Sequence, residues 1–93
     1  MNKINSIRKD WSLIETLIAQ DRKILDIGCG DGGLMEQLEN NRNAITHGIE
    51  LNRDLAANAI ARGFNVVNGN AELDLSQYSN NSFDYVILSQ TLQ

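Results

Sequence analysis

The chain has 93 residues, 42% of them hydrophobic and 22% charged, with a net charge of −4 at pH 7. That is room for one small globular domain, and the acidic balance argues against a general nucleic-acid binder, which carries a basic patch. The single cysteine, Cys29, excludes an internal disulfide and a cysteine-rich zinc site.

No apolar run approaches membrane-spanning length, and residues 1–5 are not followed by a signal-peptide core, so no membrane partner is expected and the expected location is the cytoplasm. Ile4, Ile7, Trp11, Ile14, Leu17 and Ile18 recur at helical spacing and predict an N-terminal helix within residues 1–20, packed on a sheet. Ser12 and Glu15 have the spacing of a capping box. Trp11, the one tryptophan, leaves open a lid or a partner anchor.

Residues 20–22 read as a turn and 23–27 as a short buried strand. Four glycines, Gly28, Gly30, Gly32 and Gly33, follow, and then a helix with Leu34, Met35 and Leu38 inward, ending at Asn40 and Asn41. Residues 44–50 form the second strand. Asn52 is the expected N-cap of a helix through Arg62, with Leu55, Ala56, Ala59 and Ile60 inward and Gly63 as its stop. Residues 64–68 form the third strand, and 69–78 are irregular or briefly helical. Residues 79–82 form a turn, and 83–89 the fourth and most apolar strand.

Strands alternating with helices predict an α/β fold with a Rossmann-like parallel sheet of about four strands. The first two crossovers step the same way, so right-handedness puts their helices on one face. The fourth strand returns to the other side of the first. It is then a bare apolar edge, open to pairing with a second copy of the chain. Residues 1–93 are accordingly expected to be one incomplete domain, the N-terminal part of a longer one. Residues 1–20 are its helix, and 21–93 its strands one to four with the binding loop.

Ligands of open α/β sheets sit at the carboxyl ends of the strands. Here those ends are Asp26 to Gly30, Glu50, Gly69-Asn70 and Ser89-Gln90. Gly28, Gly30 and Gly33 fit the G-x-G-x-x-G dinucleotide fingerprint, with Glu50 following at the end of the next strand. A pyrophosphate, however, welcomes cations and not carboxylates. Asp26 and Asp31 flank the glycines, and no Lys or Arg occurs between residues 24 and 41. The turn suits a ligand that carries positive charge. S-adenosylmethionine has an ammonium and a sulfonium, and its ribose needs the acidic acceptor that Glu50 supplies. A nicotinamide-dependent oxidoreductase remains the alternative.

Other residues have plainer readings. Asp31 suits a helix N-terminus. Cys29 is a small space-filler with no base beside it, and His47 is a packed strand residue. Asp84 fixes the start of the fourth strand, and Met35, Phe64 and Tyr85 are core. No cluster has the composition of a metal site.

Asp26-Ile27-Gly28-Cys29-Gly30-Asp31-Gly32 resembles the D-x-G-x-G-x-G loop of Rossmann-like, class I S-adenosylmethionine-dependent methyltransferases. Leu25 to Gly32, Gly48-Ile49-Glu50, the run Ala61-Arg62-Gly63-Phe64-Asn65-Val66 and residues 82–93 together resemble the MetW family of methionine biosynthesis. The closing Ser-Gln-Thr-Leu-Gln is the specific part. The resemblance implies that Asp26, Gly28 and Gly30 approach the methionine moiety, that Glu50 takes the ribose hydroxyls, and that Leu51 packs on the adenine. Asn70 stands where the family usually has an aspartate, at the adenine edge. Cys29, Ala71 and Ser89 complete the expected cofactor-binding set. The resemblance implies methyl transfer to an acceptor, or a non-catalytic partner and regulator of homoserine O-acyltransferase.

Overall fold

Two apolar stretches far apart in the chain become neighbours at the centre of one sheet. The computed structural model describes residues 2–5, 11–71 and 82–88. Its elements in chain order are β1 (Asn2–Asn5), α1 (Trp11–Leu17), β2 (Lys23–Ile27), α2 (Gly33–Arg42), β3 (Ile45–Glu50), α3 (Arg53–Ala61), β4 (Val66–Asn68) and β5 (Tyr85–Leu88). The sheet is parallel throughout, in the order β1-β5-β2-β3-β4. Central β2 and β5 carry the fully buried Ile24, Leu25 and Ile87, as a parallel strand covered on both faces requires.

The predicted first to fourth strands are β2, β3, β4 and β5, and they lie in the expected order. The fifth strand is a correction. Residues 2–5, counted into the N-terminal helix by their apolar spacing, pair instead with β5, Asn2 opposite Tyr85 and Asn5 opposite Leu88. β5 therefore lies between β1 and β2, and the free strand-four edge expected to join two copies does not exist. The physical reason is the one that made that edge a liability: a row of unpaired backbone groups recruits any available strand.

The helix is described from Trp11 to Leu17, Ile7 of the stripe lies outside the described residues, and Leu17 is not on the inner face. Ile14 and Ile18 are buried, whereas Leu13 and Leu17 are exposed. Glu15 forms no capping box. Its Oε1 accepts from Asn41 and Gln37 of α2, both at 2.8 Å, and these bonds, Asn41 first, hold its carboxyl below the usual range. Arg42 Nε donates to the carbonyls of Glu15 and Ile18, at 3.1 and 3.0 Å, closing the end of α1. α2 runs past Asn41 to Arg42, and the left-handed residue that stops it is Asn43, with φ 51°.

Alternation along each strand sorts the core into two faces. Ile24 and Ile87 pack with Ile14, Ile18, Leu34, Leu38 and Ala44 under α1 and α2, with Trp11 and Tyr85 against them. Met35, Cys29, Ala56, Ala59 and Val66 continue that face under α3. Leu25, Ile27, Ile49, Phe83 and Val86 cluster on the opposite face. α3 presents only Ala56 and Ala59 to the sheet. Leu55 and Ile60, expected inward, are exposed, because a helix lying close over a strand on two alanines turns its longer side chains away. Asn52 caps α3 as predicted, accepting from Leu55 N at 3.0 Å, and Gly63 ends it with φ 95°. Asp84 fixes the entry to β5: its Oδ2 accepts from Lys23 N at 2.9 Å, and its own N–H donates to Lys23 O at 2.8 Å.

Candidate functional site

The parallel ladder continues past the end of β2 into the glycines. Gly28 N and Cys29 N both donate to Ile49 O, at 2.8 and 3.3 Å. The chain then turns back through left-handed conformations at Gly28, Gly30 and Gly32, with φ 79°, 61° and 96°, which glycine adopts without a Cβ clash. Gly33 has another role. A Cβ there would lie 2.5 Å from the Trp11 ring, and one on Gly32 would lie 2.7 Å from Phe64. The two aromatics brace the loop from behind, so Trp11 is a packing residue of this loop. At Gly30 a Cβ would meet nothing within 4 Å, so the crest of the turn faces open space.

Glu50 ties this loop to the next strand end. Its Oε1 accepts from Gly30 N at 2.7 Å and its Oε2 from Asn52 N at 2.8 Å. One largely buried carboxylate thus joins the glycine turn to the start of α3. Asp26 is 1% exposed and lies in register between Gly48 on β3 and Ile87 on β5. The thiol of Cys29 registers both acids. Burial, then the charges of Asp26 and Glu50, push it up to about 12. A protonated, buried thiol is a packing group and not a nucleophile, in agreement with the space-filling role expected of Cys29.

A cleft of about 280 Å³ opens beside these residues, lined by Ile27, Gly28, Ile49, Glu50, Leu51, Gly69, Asn70 and Ala71. That is near the lower end of ligand-pocket volumes, and about right for a nucleoside-sized moiety. Its floor is the apolar Ile27 and Ile49, and Leu51 stands at its edge with 67% exposure.

Of the residues expected at the site, Gly28, Glu50, Leu51, Asn70 and Ala71 line this cleft. Gly30 does not line it and is tied to it through its bond to Glu50. Asp26 and Cys29 lie beneath the loop. Ser89 falls outside the described residues. Reasoning from sequence missed the floor residues Ile27 and Ile49, since apolar strand residues read as core. It also missed Asn68, whose Nδ2 donates to Glu50 O at 2.9 Å and Leu51 O at 3.1 Å.

The loop has a cation that local sequence did not reveal. Arg62, at the C-cap of α3, donates to Asp31 O at 2.9 Å and to Glu36 Oε1 at 2.8 Å, and lies 5.1 Å over the Phe64 ring. Its single charge is shared between the outer acids Asp31 and Glu36 and not with the inner pair, Asp26 and Glu50. His47 pairs with the Asn65 amide at 2.8 Å and stacks edge-on to Phe83, with centroids 5.3 Å apart, as a packed strand residue does. No helix of the described residues is long and apolar enough to cross a membrane.

The same fold recurs in solved structures. A TehB-like S-adenosylmethionine-dependent methyltransferase from Corynebacterium glutamicum superposes with a TM-score of 0.71 at 27% identity, covering 90% of this chain and 45% of that one. M. capricolum TrmK, solved with S-adenosylhomocysteine, gives 0.70 at 20% identity, over 86% of this chain and 40% of that one. A methyltransferase from Geobacter sulfurreducens, also holding S-adenosylhomocysteine, gives 0.62 at 18% identity, over 82% and 33%. The chain spans less than half the length of each. Its fold is the Rossmann-like fold of class I methyltransferases. A comparison with curated protein sequences found no match. The profile of the family described as methionine biosynthesis protein MetW matches residues 8–93, and with nearly the whole chain matched, the chain belongs to the MetW family.

Proposed function

We propose that this domain binds S-adenosylmethionine and serves methionine biosynthesis in the cytoplasm, with methyl transfer to an acceptor as its activity. The observation that carries the reading is the buried Asp26, directly before a glycine turn that an anionic pyrophosphate would prefer free of carboxylates, with Glu50 at the next strand end placed for a ribose. Three features of the site fit the cofactor. The cleft of about 280 Å³ is near nucleoside size, the crest at Gly30 is open, and Asp26 and Glu50 lie near Cys29 in the same loop. Asp26, Gly28 and Gly30 would hold the charged methionine end, and Glu50 the ribose. Leu51, Asn70 and Ala71, with Cys29 beneath and Ser89 at the end of the last strand, would complete the site. When bound, the cofactor supplies a methyl group already activated on a sulfonium. What these residues contribute is binding and orientation, and orientation alone is worth many orders of magnitude in rate.

Titrating the protein with S-adenosylmethionine and with NAD, side by side, tests the reading. Saturable binding of the first, and a much weaker response to the second, is the expected result. Tight NAD binding with no response to S-adenosylmethionine would make the domain part of an oxidoreductase.

A second reading rests on the family description, which names a biosynthetic role and no transferred group. On it the domain is a partner and regulator of homoserine O-acyltransferase. Formation of S-adenosylhomocysteine with an acceptor favours the enzyme. Co-purification with the acyltransferase and a change in its rate favours the partner.

A further inference from the structure

We propose that Asn68 is the positioning residue for Glu50 and Leu51, and through them for recognition of ribose hydroxyls. The ligand half of this inference rests on the cofactor reading above, and the positional half stands without it. Asn68 is the last residue of β4 and lies in register with Glu50. Its carboxamide nitrogen bonds the carbonyls of Glu50 and Leu51, at 2.9 and 3.1 Å, and Gly69 N donates to the same Glu50 carbonyl at 3.1 Å. These bonds hold the backbone where the chain leaves β3 for α3.

Among the described residues, the other tie across that turn is the bond from Asn52 N to the Glu50 carboxylate, at 2.8 Å. Leu51 is 67% exposed, so packing does not set its place. The side chain of Asn52 caps the N–H of Leu55 and does not reach back. Two carbonyl acceptors also define which end of the Asn68 amide faces them, because its oxygen in that place would meet two oxygens. Asparagine is disfavoured in strands. Its presence at the end of β4 makes sense as a side-chain donor, not as a strand former. The carboxylate of Glu50 then reaches Gly30 N and Asn52 N from a backbone that Asn68 holds.

Asn68→Asp keeps the shape and turns the donor into an acceptor, whereas Asn68→Gln keeps the donor one methylene further out. Amide hydrogen exchange in the full chain reads the positional half at Gly30 and Asn52, which bond Glu50 and not Asn68. Asn68→Asp should speed exchange at both by roughly tenfold, the worth of one to two net hydrogen bonds, with the amides of β2 unchanged. Asn68→Gln should restore part of the protection. Binding of adenosine against 2′-deoxyadenosine reads the ligand half. The wild-type preference for adenosine should shrink by roughly tenfold in Asn68→Asp, an effect that general destabilisation, lowering both affinities alike, does not produce. Unchanged exchange at Gly30 and Asn52, or a uniform rise through β2 and β5, overturns the proposal. Faster exchange with an unchanged nucleoside ratio overturns the link to ribose. A wild-type chain that binds neither nucleoside overturns the link to ribose, and the exchange result alone then decides the role of Asn68.

Discussion

The turn after β2 adds packed side chains to its hydrogen bonds, whereas the turn after β3 is held mainly by hydrogen bonds. Behind the glycine loop stand Trp11 and Phe64, and beneath it Cys29 and Met35 press on Gly48 so closely that a Cβ there would lie 2.6 Å from Cys29 Sγ. At the β3 turn, the exposed Leu51 is flanked by polar partners: Asn52, Asn68, Gly69 and the carboxylate of Glu50. Close packing transmits any added volume as strain. A turn held by hydrogen bonds tolerates changes of side-chain volume and fails when a donor is lost. The two turns share one cleft and should therefore break in different ways.

The largest effect should come from the packed side. Gly48→Val places two methyls against Cys29 and the fully buried Met35. Overpacking of this kind costs about 3 kcal/mol, and denaturant unfolding should show it as a lower midpoint at constant slope. An unchanged midpoint would mean that the floor of the loop yields freely, and the contrast between the turns would vanish.

Next comes the charge beneath the same loop. Asp26→Ala should weaken S-adenosylmethionine binding by roughly tenfold to a hundredfold, the range for a hydrogen bond to a charged group. Calorimetric titration measures it, and a cooperative melt shows that the variant is folded. Wild-type affinity in the variant would remove Asp26 from the site and leave recognition to the hydrogen-bonded turn.

Legibility in the sequence follows the same division. The packed half could be read because its signals are local. Apolar runs marked β2, β3 and β5, right-handed crossovers put the first two crossover helices on one face, and Gly28, Asp26 and Glu50 pointed to the candidate site. What could not be read depends on contacts between distant segments. The pairing of residues 2–5 with β5 follows from an edge that needs a partner, and nothing within residues 2–5 signals it. Arg62 reaches Asp31 across the whole of α2 and β3. Asn68 looks like a surface strand residue until register sets it beside Glu50. Leu55 and Ile60 fit the helical period yet face solvent, because the contact of α3 is only two alanines wide.

A smaller effect should appear at alkaline pH. Cys29 titrates at about 12 in the fold against an ordinary 9.0. The group is neutral when protonated, so its contribution is full below pH 9. Above that the unfolded chain loses the proton first, and stability falls through the window between 9 and 12. The slope approaches 1.4 kcal/mol per pH unit, roughly the full linkage of one group. Unfolding free energies from pH 8 to 10.5 should decline more steeply for the wild type than for Cys29→Ala, which lacks the group. Parallel curves would place the thiol in contact with solvent and loosen the packed side of the comparison.

The smallest effect on the fold should come from Leu51→Ala. The side chain is 67% exposed, so unfolding should shift by less than about 0.5 kcal/mol, as for surface positions generally. Yet Leu51 stands at the edge of a cleft with an apolar floor, where a bound base would cover what the fold leaves bare. Burying even part of a leucine is worth on the order of 1 kcal/mol, so adenosine affinity should fall several-fold while the melt stays put. A leucine that the fold leaves bare for a ligand to cover is what a hydrogen-bonded turn permits, since the bonds from Asn68 hold the backbone without using the side chain. Loss of stability in Leu51→Ala without loss of affinity would reverse that assignment and make the second turn, like the first, a packed one.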